Sequence, residues 1–259
     1  MSRTRTPSIL IVNDDGIHGK GLEALVAAVA GLGRLTVVVP ERERSTAGHS
    51  LTLHKPLRLK PHHSPHLDGA TVLTLSGTPA DCARIGILHV LGGKADLLLS
   101  GINRGYNLGH DVHYSGTVAA AIEATINRVP AVAVSQGVGR REDYAPAARL
   151  ARALAMAVLR RGLPPGLCLN ANAPERSRGS RVLVTRLGMR TYDRTVTRRL
   201  DPRGHPYFWL AGRVLQDAPQ PGTDIAAVRR GLASVSPVRL DATEDRFLGS
   251  LARWQLSLR

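Results

Sequence analysis

The amino-acid sequence predicts an α/β protein built on a mostly parallel central sheet with helices on both faces. Three observations lead there. Short, unbroken apolar runs rich in β-branched residues, the first being Ser8-Ile-Leu-Ile-Val12, have the pattern of strands covered on both sides. Segments with apolar residues at helical spacing alternate with those runs, and the alternation implies parallel pairing through crossover helices. With 43% hydrophobic residues over 259, the chain can bury a sizeable core, and 3% aromatics leave Leu, Val, Ile and Ala to build it.

After the first strand and Asn13-Asp14-Asp15-Gly16 comes a helix marked by Leu22, Leu25, Val26, Val29 and Leu32, which Gly31 and Gly33 bring to a stop. Residues 35–39 form a second buried strand, closed by Pro40. Residues 71–75 read as a strand, and Ser76-Gly-Thr-Pro-Ala-Asp81 opens a helix with Thr78 as cap, Pro79 at the first helical position and Asp81 at the third. A strand at 96–100 leads into a glycine-rich loop that runs to Gly116, and a helix covers 117–126. A strand at 131–135, a helix around Leu150, Leu154 and Val158, and a strand at 167–170 complete the alternation.

Beyond Pro174 the rhythm changes. Residues 182–187 and 207–214 read as strands without a long helix between them, as in a hairpin or an excursion from the main sheet. A helix at 224–230, a strand at 233–240 and a closing helix at 244–256 follow; Phe247, Leu248, Leu251 and Trp254 line one side of that helix, an apolar face for the core or for another subunit. The organisation expected is one domain over residues 1–259, with an active-site core to about residue 174 and a hairpin, last strand and closing helix over about 175–259.

Composition narrows the function classes. Two cysteines, Cys82 and Cys168, make no disulfide framework and read as packing residues in a reducing compartment. No apolar run approaches the roughly 18 residues of a membrane span, and the N-terminus lacks the apolar stretch of a signal peptide, so a cytoplasmic protein with no membrane partner is expected. The net charge of +15 is uneven: residues 1–136 carry 13 basic and 10 acidic side chains, residues 137–259 carry 22 and 10. Because 31 of the 35 basic residues are Arg and aromatic platforms are scarce, the excess reads as a solvated basic face that attracts anionic substrates, and nucleic acid is not the expected partner.

In an open parallel sheet, ligands bind beyond the carboxyl ends of the strands. Asp14 and Asp15 follow the first strand, Ser45 the second, Ser76 to Thr78 the third, and Asn103 to Thr117 the fourth. Adjacent carboxylates repel each other unless solvated, protonated or bound to a cation, and an oxygen-only set suits a hard ion such as Mg²⁺ or Mn²⁺. A solvated acidic turn with Asp15 capping the next helix is the simpler alternative for the pair alone. The long loop over 100–117 adds weight: its glycines at 101, 105, 109 and 116 allow close backbone approach, and Ser115-Gly116-Thr117 opens a helix, where free N–H groups favour anions. Ordinary N-capping accounts equally well for Ser115 and Thr117 taken alone. No G-x-x-x-x-G-K-[ST], G-x-G-x-x-G or G-x-S-x-G motif is present at the required places, and His62, His63 and His66 read as an exposed loop.

ILIVNDDGI at 9–17, RSTAGHSLT at 44–52, SGTPADC at 76–82, LLLSGINRGYNLGHDVHYSGTVAAAIEA at 97–124 and NANAP at 170–174 together resemble the SurE (survival protein E) family of metal-dependent 5′-nucleotidases. TDIAAVRRGLASVSPV at 223–238 is similar to that family's C-terminal pattern. The resemblance implies a Rossmann-like three-layer sandwich, a mostly parallel sheet with a C-terminal hairpin and helix extension used in oligomerisation, working as a homodimer or homotetramer. It implies hydrolysis of nucleoside 5′-monophosphates, with 3′-monophosphates and short polyphosphate as further candidates.

Carried onto matching positions, one divalent ion per subunit, Mg²⁺ or Mn²⁺, is expected on Asp14, Asp15, Ser45 and Asn103, with Asp14 and Asp15 catalytic. Asn13, Gly101, Asn103, Ser115, Gly116 and Thr117 are the expected phosphate and substrate contacts. Arg44 stands where many members have Gln. His110, His113 and water remain open as proton donor to the leaving oxygen. A covalent aspartyl-phosphate route is not expected, since no D-x-D follows the first strand. A non-enzymatic nucleotide or nucleic-acid binder and a metal-dependent glycosyltransferase are the competing classes.

Overall fold

The computed structural model describes residues 5–44, 48–139, 142–177, 179–192, 195–210, 214–217 and 220–258. In chain order, β1 (Ser8–Val12), α1 (Lys20–Val29), β2 (Arg34–Pro40), β3 (Leu59–Pro61), β4 (Ala70–Leu75), α2 (Pro79–Ile85), β5 (Leu97–Arg104), α3 (Gly116–Ile126), β6 (Ala131–Gln136), α4 (Ala145–Arg161) and β7 (Leu167–Ala173) make the regular part. The remaining elements are β8 (Val182–Val184), β9 (Arg190–Tyr192), β10 (Val196–Leu200), β11 (Pro206–Leu210), β12 (Val214–Asp217), α5 (Asp224–Arg229), β13 (Ala233–Arg239) and α6 (Asp245–Ala252).

Nine strands form one sheet in the order β3-β4-β2-β1-β5-β6-β7-β13-β8. From β4 to β7 all pairings are parallel, as the alternation predicts. The edges depart from it: β3 is antiparallel to β4, β13 is antiparallel to β7, and β8 lies parallel to β13. Side chains of a strand alternate between faces, so β1 feeds both layers of core. Ile9 and Ile11 pack under α1 and α4 with Leu22, Leu25 and Leu150, whereas Leu10 and Val12 pack with Cys82, Val118 and Ala121 of α2 and α3. Both cysteines are buried, as packing residues should be.

Local signals account for the helix starts. Thr78 caps α2 through a reciprocal box in which its hydroxyl accepts from Asp81 N and the Asp81 carboxylate accepts from Thr78 N. Ser115 Oγ accepts from Val118 N and caps α3. By contrast α1 has Gly19 at its cap and no side-chain cap bond, so Asp15 does not cap it.

Three sequence expectations need adjusting. The fourth strand of the sequence reading, β5, does not stop at Ser100 but runs to Arg104, because after a shift in register Asn103 and Arg104 pair with Ser135 and Gln136 of β6. The short edge strand β3 was not expected, its Lys60-Pro61 end offering no apolar alternation. The strand expected at 182–187 is the shorter β8, the strand expected at 207–214 is β11 over Pro206–Leu210, and two antiparallel ribbons were not expected: β10 with β11, and β9 with β12, the latter with a register shift between Val214 and Gln216.

The β10–β11 ribbon is largely open to solvent, with Phe208, Trp209 and Leu210 exposed. No residue of α6 is buried, so its apolar side does not pack on the core. Among the described residues no helix is long and apolar enough to cross a membrane.

Candidate active site

The sheet order places β2 on one side of β1 and β5 on the other, so the chain departs from β1 in two directions and leaves a crevice at their carboxyl ends. Val12, the last residue of β1, is paired with Ser100. The residues that follow β1, Asn13, Asp14 and Asp15, therefore meet the last residues of β5, Gly101 to Arg104.

Asp14 is 4% exposed and Thr117 is fully buried. Thr117 donates to Asp14 twice, from its N–H to Oδ2 at 3.2 Å and from Oγ1 to Oδ1 at 2.6 Å. Such close approach needs a residue without a side chain beside it: a Cβ on Gly116 would stand 2.9 Å from Asp14 Oδ2 and 3.0 Å from Pro79 Cγ. The main-chain carbonyl of Asp14 accepts from Arg44 N at 2.9 Å.

Asp15 is half-buried; its N–H donates to Asn13 Oδ1 at 2.6 Å and its Oδ2 accepts from Arg104 N at 3.2 Å. Asn103 donates through Nδ2 to Gly105 O at 3.0 Å, which orients the amide and leaves Oδ1 as an acceptor. Asn13 Nδ2 and Ser100 Oγ are buried without a hydrogen-bond partner among the described residues. Gly101 sits at the register shift of β5 with φ of +129°.

The electrostatics follow from this enclosure. Burial raises the pKa of Asp14, against the lowering effect of the Thr117 hydrogen bonds. Burial and then the neighbouring Asp14 charge push Asp15 up to about 6. Two carboxylates that resist ionisation together, at the end of a strand, fit a hard cation that would relieve both penalties.

Among the described residues no three His, Cys, Asp or Glu side chains cluster as a metal set, so any such ion would rely on neutral oxygens such as the Asn103 amide to complete its shell. Ser45 lies outside the described residues. His110 and His113 stand on a 3₁₀ turn at Gly109–His113 and are exposed.

A pH dependence follows. An acid whose folded pKa exceeds its ordinary value, 3.8 for Asp15, contributes stability that is complete below that value and is lost as pH rises through about 6. In EDTA, raising the pH from about 4 to about 7.5 is expected to destabilise the protein. Asp15→Asn should remove about 1–2 kcal/mol of that loss, a figure discounted for partial solvent screening. Urea unfolding at the two pH values checks it; equal pH dependence in both proteins would contradict the assignment.

Beside Asp15 opens a cavity of about 320 Å³, lined by His18, Gly19, Lys20, Glu43, Arg104, Glu142 and Tyr144. Glu142 accepts from Lys20 Nζ at 3.2 Å and from Arg104 Nε at 3.0 Å, a bridge across its mouth.

Sequence reasoning missed several groups that hold the loop after β5. Asn107 is tied to β7 and β6: its N–H donates to Asn172 Oδ1 at 2.9 Å, its Nδ2 to Ser135 Oγ at 2.8 Å, and its carbonyl accepts from Asn170 and Asn172. The buried Asp224 carboxylate accepts from Gly109 N at 2.9 Å and Gly188 N at 2.8 Å. Asp111 is paired with Arg190 and with the Tyr192 hydroxyl at the base of the ribbon. Asn170 and Asn172 did leave a signal, two amides on one face of an otherwise apolar strand; Asp224 left none beyond its place at a helix start.

The family model described as survival protein SurE matches residues 9–194. A 5′-nucleotidase SurE 1 of Thermus thermophilus is 46% identical over 245 residues, covering 94% of this chain and 96% of the relative. A 5′-nucleotidase SurE of Geobacter metallireducens is 42% identical over 254 residues, covering 96% and 98%. The crystal structure of the Sure protein from Aquifex aeolicus superposes with a TM-score of 0.81 at 37% identity, covering 96% of this chain and 100% of that one.

Proposed function

The chain belongs to the SurE family, and from that premise we propose that it is a metal-dependent phosphatase releasing phosphate from nucleoside 5′-monophosphates. It is an enzyme of the kind its relatives are named for, the 5′-nucleotidases. The observation that carries the reading is the enclosed Asp14–Asp15 pair at the switch point of the sheet, with the first turn of α3 beside it.

Asp14, Asp15 and Asn103, with Ser45, would hold one divalent cation per subunit, Mg²⁺ or Mn²⁺. When bound there, such an ion offsets the charge of a phosphate monoester and makes water a better nucleophile. Thr117 favours the ionised form of Asp14 against the effect of burial and orients the carboxylate, since each of its donors meets a different carboxylate oxygen.

Of the first amides of α3, that of Thr117 goes to Asp14 and that of Val118 to the Ser115 hydroxyl, which leaves the Gly116 N–H and the Ser115 O–H to meet a phosphoryl oxygen. Asn13 Nδ2, without a hydrogen-bond partner among the described residues, is a further donor on the same edge, and the backbone from Gly101 to Asn103 completes the rim. The nucleoside would lie in the cavity lined by Lys20, Arg104, Glu142 and Tyr144. A homodimer or homotetramer in the cytoplasm, joined through the exposed ribbon and α6, is the setting in which this site would work.

The test is inorganic phosphate release from 5′- and 3′-nucleoside monophosphates and short polyphosphate, in Mg²⁺, Mn²⁺ or EDTA. Metal-dependent release from the 5′ series is expected. Release undiminished in EDTA, or none from any nucleotide under either metal, would overturn the reading.

A further inference from the structure

Three chain ends meet over the cavity beside Asp15. Lys20 opens α1, Arg104 closes β5, and Glu142 stands shortly before α4. The Glu142 carboxylate accepts from Lys20 Nζ through Oε2 at 3.2 Å and from Arg104 Nε through Oε1 at 3.0 Å, so each oxygen is given to a different cation. Arg104 in turn donates its N–H to Asp15 Oδ2 at 3.2 Å, which sets this strap directly against the acidic pair.

These pairs do little for stability. The Lys20, Arg104 and Glu142 side chains are 71%, 57% and 32% exposed, and ion pairs open to solvent contribute little. What they do is set the charge that an incoming group meets. Asp15, Glu43 and Glu142 line the cavity against two cations, Lys20 and Arg104, and Glu142 engages both of those cations. The hydrogen bonds from Arg104 and Lys20 hold the Glu142 carboxyl below its usual range, so it is ionised at neutral pH.

Hydrolysis sorts phosphate substrates by what they leave behind. Water bonds to phosphorus, the phosphorus–oxygen bond to the leaving group breaks, and that oxygen departs with the electron pair and takes up a proton. From a nucleoside monophosphate the departing group is a neutral nucleoside. From a nucleoside diphosphate or a polyphosphate it carries further phosphates, and in this cavity those phosphates meet a carboxylate where two cations would otherwise receive them.

We propose that Glu142 is a specificity-determining residue: by occupying Lys20 and Arg104 it denies them to a second phosphate and biases the site toward monoesters with an uncharged leaving group. The proposal rests on the phosphatase reading of Asp14 and Asp15 and deepens it. No other segment has to move, since Glu142 touches both cations and one of them touches Asp15.

The experiment is inorganic phosphate release at fixed free Mn²⁺ from adenosine 5′-monophosphate, adenosine 5′-diphosphate and inorganic tripolyphosphate. It compares wild type, Glu142→Gln, Glu142→Lys and Asp241→Asn. Asp241 is exposed and follows β13, which runs antiparallel to β7 and so ends at the edge of the sheet away from the site; its variant changes the net charge as Glu142→Gln does, but elsewhere. The ratio of kcat/KM for diphosphate or tripolyphosphate to that for monophosphate is expected to rise about 10-fold in Glu142→Gln and further in Glu142→Lys. In Asp241→Asn it should stay within about two-fold of wild type, and the gain in the Glu142 variants should shrink as salt is raised.

A ratio unchanged in both Glu142 variants, with wild type active on the monophosphate, overturns this proposal alone. So does a ratio raised equally by Asp241→Asn, which would be a response to net charge, or wild type that cleaves tripolyphosphate faster than monophosphate. Wild type that releases phosphate from none of the three sinks the proposed function and this proposal with it.

Discussion

Asp14→Asn lowers metal-dependent phosphate release by about 10³-fold or more while the fold stands. The activity loss follows from the site: Asp14 is the more enclosed of the two carboxylates, and an amide supplies neither its charge nor a second acceptor. The survival of the fold follows from the same enclosure. Burial raises the pKa of Asp14, so its ionised form costs the empty protein free energy, and the amide is free of that cost. Against this, one of the two bonds from Thr117 is lost, because the Asn NH₂ faces a donor. The two effects oppose each other, and thermal unfolding in EDTA within a few degrees of wild type is expected. Phosphate release equal to wild type in excess Mg²⁺ or Mn²⁺ would remove Asp14 from the metal site.

Gly21→Ala destabilises the protein by about 3 kcal/mol, although helix propensity predicts a gain of about 1 kcal/mol. Gly21 is the second residue of α1, and a Cβ there would lie 2.0 Å from the carbonyl oxygen of Ile102 and 3.2 Å from Tyr144 Cε1. The obstacle is backbone of β5, which cannot swing aside as a side chain can. Relief requires α1 to lift from the sheet or β5 to move, and Ile102 is followed directly by Asn103. The variant should therefore lose metal affinity along with stability. Urea unfolding decides between the two signs; a variant as stable as wild type would show that α1 is not seated against β5.

The regular part of the fold was legible because burial imposes a period. The central strands β1 and β2 are covered on both faces and read as largely apolar runs, and Thr78-Pro79-Ala80-Asp81 announces α2 by cap chemistry alone. Where burial ends, the period ends with it. The ribbon of β10 and β11 is largely exposed, so neither face is obliged to be apolar, and the sequence marked β11 only approximately and β10 not at all. β5 was cut short because Gly-Ile-Asn-Arg reads as a loop, and only pairing with Ser135 and Gln136 makes it strand.

The site divides in the same way. By itself the sequence determined the class of fold and placed Asp14, Asp15, Asn103 and Thr117 at or just beyond the ends of β1 and β5; their joint assignment to a metal and phosphate site came from the family resemblance. Only the tertiary structure decided that Thr117 serves Asp14 with both donors, that Glu123 grips His49 from α3, and that Asp224 holds Gly109. Each of these is a polar side chain in an apolar element, and its partner lies 36 to 115 residues away along the chain for Asp224, 103 for Thr117 and 74 for Glu123. Composition and periodicity are properties of neighbours in sequence; the cost of burying a charge is set by whatever the fold brings to it, and that is known only when the chain has closed.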